Sequence, residues 1–143
     1  MHLRLIAALL VICSTAAQAA EVSIIGDWYE EAVYGGYRTI SISHFRSDGT
    51  FTVEFRKCLV PGELDNTDTG HYTYANGKLR MITEARDGIW TLDIEDYETA
   101  SNDGRAWVYK SISGPAVDRY GHILFKDIRV TPSSKVPSCD LSS

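Results

Sequence analysis

Asp48-Gly49-Thr50-Phe51-Thr52-Val53-Glu54-Phe55-Arg56 is the stretch whose reading decides the fold. Phe51, Val53 and Phe55 alternate with Thr52, Glu54 and Arg56, so one face is apolar and the other polar. That period of two is the mark of a half-buried β-strand. The Asp-Gly pair ahead of it favours positive φ, which a tight hairpin turn requires.

The same unit recurs outward in both directions. Ile40 and Ile42 alternate with Thr39, Ser41 and Ser43, and Trp90, Leu92 and Ile94 alternate with Thr91, Asp93 and Glu95. Turn signals stand at Gly35-Gly36, Pro61-Gly62, Asn76-Gly77, Asp87-Gly88, Asp103-Gly104 and from Gly114-Pro115 to Gly121. Eight strands are predicted, near 22–32, 37–46, 50–59, 70–76, 78–86, 89–98, 105–112 and 122–131. No mature segment of about ten residues has a helical period.

Short strands joined by hairpin turns form a meander, and closure is the simplest way to hide its two edges. The expected fold is therefore all-β, an eight-stranded antiparallel up-and-down barrel. A sandwich is the competitor. It needs long crossing connections, and only 60–69 and 113–121 could supply one.

Residues 1–19 read as a signal peptide, 20–131 as the barrel domain and 132–143 as an irregular tail. Arg4 precedes the uncharged run Leu5–Cys13, and Ala17-Gln18-Ala19 offers small side chains before the cut. The apolar run is too short to span a bilayer, and no later stretch approaches the required length. Cys13 raises a lipoprotein reading, but Ile12 stands where a small residue belongs. A periplasmic or secreted location follows.

Loss of Arg4 with the leader leaves 13 basic residues against 19 acidic, a formal charge of −6. With no basic run, the chain has no footprint for nucleic acid or anionic lipid. The mature chain keeps Cys58 and Cys139. In an oxidising compartment such a pair is expected to bond, closing a loop of about 80 residues worth roughly 4–5 kcal/mol. By parity Cys58 shares the outward face of Thr52, Glu54 and Arg56, where a tail lying outside the barrel can reach it.

Gly26-Asp27-Trp28-Tyr29 at the first mature strand resembles the Gly-x-Trp-Tyr opening of the lipocalin-like (calycin) group. Phe45-Arg46-Ser47-Asp48-Gly49-Thr50-Phe51 and Gly70-His71-Tyr72-Thr73-Tyr74 are similar to strands of its small bacterial members. Arg129 falls where that group carries a basic side chain packed over the opening tryptophan. The resemblance implies structural roles for Gly26, Trp28 and Arg129, a closed barrel base and an internal ligand. Glu95 ahead of Asp96-Tyr97 departs from the family's Thr-Asp-Tyr element, and no helix is expected after the eighth strand.

Aromatic residues either fill a small barrel or line a cup for a ligand. Tyr72, Tyr74, Trp90, Leu92 and Ile94 are the expected contacts for a small apolar or amphipathic ligand. His44, His71 and His122 lack metal-ligand spacing, so no metal site and no cofactor are expected. Asp93, Glu95, Asp96 and Glu98 follow one another along one strand and read as a solvated face. No Gly-x-Ser-x-Gly elbow or phosphate-binding glycine loop is present, so the expected role is binding, not catalysis. The alternative to an internal ligand is contact through outer surface or loops, with an envelope protein or a secreted enzyme that the chain inhibits.

Overall fold

Two hairpin turns show how local chemistry sets the topology. Asn76-Gly77 and Asp87-Gly88 hold positive φ at both central residues, 53° and 71° in one and 52° and 75° in the other. Such turns match the twist of the strands they join and return the chain antiparallel. The computed structural model describes residues 21–34, 36–59, 65–136 and 139. The predicted signal peptide and parts of the 60–69 loop and of the tail lie outside the described residues.

The strands are β1 (Gly26–Tyr34), β2 (Tyr37–Phe45), β3 (Thr50–Arg56), β4 (Asn66–Ala75), β5 (Lys78–Arg86), β6 (Ile89–Asn102), β7 (Ala106–Ser113) and β8 (Leu124–Arg129). Each pairs antiparallel with the next, and β1 pairs β8, giving a closed eight-stranded up-and-down barrel. A six-residue helix, α1 (Pro115–Tyr120), joins β7 to β8. It occupies the segment read from sequence as a long loop. β4 begins at Asn66, earlier than expected, because Asp65 N–H bonds Phe55 O at 2.8 Å and Asp68 is tied to Arg86.

The barrel closes on a short seam. Only Trp28↔Arg129 and Tyr29↔Ile128 pair between β1 and β8. The next pair in that register sets Glu30 opposite Asp127, two inward carboxyl groups.

One end of the barrel, the base, is packed with rings. Trp28, Phe45, Phe51 and Trp107 are 0–2 % exposed, as is Ile24 of the segment that crosses below them. Trp28 and Trp107 meet edge to face with centroids 5.7 Å apart, and Phe45 and Tyr74 pack edge-on against Trp107. Trp28 Nε1 donates to Ile24 O at 2.7 Å, satisfying the indole where no water reaches it.

Arg129 lies across this base. Its guanidinium carbon lies 4.2 Å from the Trp28 ring centroid. Its nitrogens donate to Gly104 O, Ile25 O and Ser23 O at 2.6, 2.9 and 2.8 Å. Gly26 has φ +130°, and a Cβ there would stand 2.7 Å from Arg129 Nη1. The glycine is needed so that the arginine can lie flat on the tryptophan.

Cys58 and Cys139 form a disulfide, with Cα atoms 4.8 Å apart. Such a bond persists in an oxidising compartment, not in a reducing cytosol. Ile40 faces outward by register yet is 1 % exposed, on the flank next to Arg56 where the bridge pins the tail. Ser41 and Ser43 take the inward positions of β2. Among the described residues, no helix is long and apolar enough to cross a membrane.

Candidate ligand-binding end of the barrel

At the opposite end, the mouth, inward side chains change character. Inward residues are the alternate set that includes Trp28 and Arg129, so Glu30 follows Trp28 inside and Asp127 precedes Arg129 inside. β7 sends Trp107, Tyr109 and Ser111 inward, and β6 sends Asp93, Glu95 and Tyr97. Asp127 is 2 % exposed and Ser111 is fully buried, whereas Glu30, Phe55, Asp93, Glu95 and Phe125 are half-buried. Solvent therefore reaches into this end from above.

The floor beneath it is aromatic. Tyr109 stacks on Phe125 with centroids 5.2 Å apart and planes 15° from parallel. Tyr97 stands edge-on to both, at 5.4 and 5.8 Å. Trp107 continues the column toward the base, 4.3 Å from Tyr109.

The polar groups are joined to that floor. Tyr109 donates its phenol to Asp127, 3.2 Å from each carboxyl oxygen. Tyr97 donates to Glu95 Oε2 at 2.5 Å, and Glu95 Oε1 accepts the Ala116 N–H at the start of α1. Ser41 Oγ lies 3.5 Å from Glu30 Oε2. Nearer the rim, Arg86 grips both oxygens of Asp68 at 2.8 and 2.7 Å and reaches Asp93 at 3.2 Å.

Burial dominates the electrostatics here. Asp127 is pushed up to about 8, first by loss of solvation and then by the nearby charge of Glu30, against the opposing bond from Tyr109. It is therefore mostly protonated at neutral pH. Burial also holds the phenols of Tyr97 and Tyr109 well above their ordinary value, so both remain donors. A cation entering beside Glu30 and Asp127 would find one carboxylate in place and a second that ionises on its arrival.

The five expected contact residues do not converge at this site. Tyr72 and Tyr74 face inward at the base, where Tyr72 Oη donates to Arg46 O and Tyr74 packs on Trp107. They line a shallow groove of about 240 Å³ beside Glu21–Ile25. Trp90, Leu92 and Ile94 point outward and are 78 %, 56 % and 44 % exposed. Their expected place inside the barrel is overturned, because β6 turns Asp93 and Glu95 inward instead. Asp93 satisfies Arg86 there, and Glu95 satisfies Tyr97 and α1.

The solvated acidic face expected on β6 is thereby divided. Asp93 and Glu95 are interior, and Asp96 faces out in a two-pronged pair with Arg80. The histidines stay apart: His44 bonds Asp27, His71 bonds Glu84 and His122 bonds Ser111 O. Glu30, Tyr109 and Asp127 were missed from sequence, yet a signal was available. Counting in twos from Trp28 and Arg129 leads to Glu30 and Asp127.

No family model, curated protein or solved structure matches the chain.

Proposed function

We propose that this is an exported, lipocalin-like binding protein of the periplasm or extracellular space. Its ligand is a small amphipathic molecule carrying a ring and a protonated amine, held at the barrel mouth. The observation that carries the reading is the Glu30–Asp127 carboxyl pair set over the Tyr97–Tyr109–Phe125 aromatic floor. Burying an acid costs stability unless something compensates, and a strongly perturbed buried acid such as Asp127 is a candidate for function. The ring faces suit the apolar part of such a ligand, and the carboxyl pair suits its charge.

Calorimetry with tryptamine, its neutral analogue indole-3-acetamide and its acidic analogue indole-3-acetate tests this. The amine is expected to bind with release of a proton from Asp127, seen as a buffer-dependent enthalpy, and the acid is expected not to bind. Asp127→Asn should weaken the amine by roughly tenfold or more, about 1.4 kcal/mol. Equal binding of all three compounds, or of none, overturns the reading.

A second reading acts through the outer surface, on an envelope protein partner or a secreted enzyme that it inhibits. The exposed Trp90–Leu92–Ile94 stripe favours it. An immobilised chain that retains no protein at stoichiometric yield from envelope extract would count against it.

A further inference from the structure

The β5–β6 hairpin extends past the end of β7. On one side, β6 pairs with β5 from Arg86↔Ile89 onward. On the other, its ladder with β7 starts only at Asp96↔Ser113. Gly114 packs against the Ile94 carbonyl and the Glu95 backbone, where a Cβ would stand 2.3 Å from Ile94 O. The Glu95 carboxylate accepts the Ala116 N–H, so the backbone edge at Ile94 and Glu95 is covered although the Ile94 side chain is not. Ile89–Asp93 is left with an edge that meets no strand among the described residues.

That edge is apolar and unguarded. Ile89 and Trp90 are 74 % and 78 % exposed, and Leu92 is 56 % exposed. Natural edge strands are blunted by lysine, proline or a covering element, because a bare edge recruits another strand. Ile89–Asp93 contains neither residue, and its single charge, Asp93, is engaged with Arg86 inside the barrel.

We propose that this edge pairs with the same edge of a second copy, antiparallel about a two-fold axis at Thr91, to form a dimer with a sheet continuous across both barrels. The stretch is its own complement in that register. Trp90 of each copy falls opposite Leu92 of the other, Thr91 meets Thr91, and Ile89 meets Asp93. No like charges are set face to face, and Thr–Thr and aromatic–aliphatic neighbours are favourable cross-strand pairs. An isologous contact of this kind closes on itself and leaves no further edge for a third copy. The exposed area of Ile89, Trp90 and Leu92 amounts to roughly 400 Å² per copy, about 800 Å² for the pair at most, which places the contact in the weak, transient class. The dimer is therefore concentration-dependent.

Sedimentation velocity of the mature chain, over a range of roughly 1–500 µM, tests the proposal. The sedimenting mass should rise toward twice that of the monomer. Trp90→Lys, at a side chain that is 78 % exposed, should hold the chain monomeric throughout with an unchanged far-ultraviolet spectrum. Independently, Thr91→Cys should yield a disulfide-linked dimer on mild oxidation, whereas Glu98→Cys, on the same strand beyond the edge, should not. A chain that stays monomeric, a dimer indifferent to Trp90→Lys, or equal cross-linking at both cysteines overturns the proposal. A monomer that instead holds a different protein on this stripe overturns it too, while leaving the outer-surface reading of function standing.

Discussion

Tyr109 donates to both oxygens of Asp127 at the same distance, 3.2 Å, beneath the charge of Glu30. The bond favours the carboxylate, yet burial outweighs it and the folded protein holds a proton there to about pH 8. The unfolded chain releases that proton near the ordinary aspartate value. Between about pH 4 and 8 the native state thus binds more protons, so stability falls as pH rises through this window. The loss is on the order of 5–6 kcal/mol at its full extent. Urea midpoints taken across the window should show the slope in the native chain and a flatter profile in Asp127→Asn.

Below that window the sign reverses. Arg80 holds Asp96 below the usual carboxylate range, outweighing partial burial, and Ser113 adds a further bond. Stability from this pair is present above the unfolded value and is lost as pH falls through the lowered one. Acid unfolding of Asp96→Asn should therefore show a shallower decline below about pH 4.

Removing Arg129 should open the base. Arg129→Ala abandons three carbonyl acceptors and the face of Trp28, a loss of about 2–4 kcal/mol. Arg129→Lys keeps the charge but cannot reproduce the fork, and should recover less than half of that. Thermal melts and near-ultraviolet dichroism of the tryptophans are the readouts.

Gly26→Ala should be costly for a linked reason, by about 1–3 kcal/mol. The new Cβ meets Arg129 Nη1, and the backbone φ is one that alanine avoids. Combined with Arg129→Ala, its steric part should vanish, so the double variant should lose less than the sum of the singles.

Reducing the Cys58–Cys139 bridge, or replacing both cysteines with serine, should cost roughly 3–5 kcal/mol by freeing the unfolded chain. The strand ladders do not depend on the bridge, so the barrel spectrum should persist below the new midpoint. The carboxy-terminal segment should become sensitive to protease, and Ile40 should exchange its amide faster.

Strands and turns were legible because their causes are local. Asn76-Gly77 bends the chain whatever lies around it, and Phe51-x-Val53-x-Phe55 alternates whatever it packs on. Alternation tells which residues share a face, but not which face looks inward. On β3 the apolar side is interior. On β6 the apolar side is exterior, because Arg86 and Tyr97 supply partners that make room for Asp93 and Glu95 inside. On β2 the small Ser41 and Ser43 leave space in the bore, and Ile40 is covered from outside. The mouth was half legible: parity from Trp28 and Arg129 puts Glu30 and Asp127 inside, but their roles only make sense once the neighbours that bond them are known.

The two-pair seam also carries a consequence in time. Arg129 bonds Ser23, a residue 106 positions earlier, so the base cannot close until nearly the whole chain is made. Hairpins from β2 to β7 need only neighbours and can form within microseconds, whereas this union waits for the slowest search in the molecule. A ribosome delivers Trp28 first and its cover last. During that interval the indole and the β1 edge are open, and a holding chaperone would have its clearest opportunity there. Variants that loosen the seam should betray themselves first in slowed refolding and lower yield, before any defect in the finished barrel.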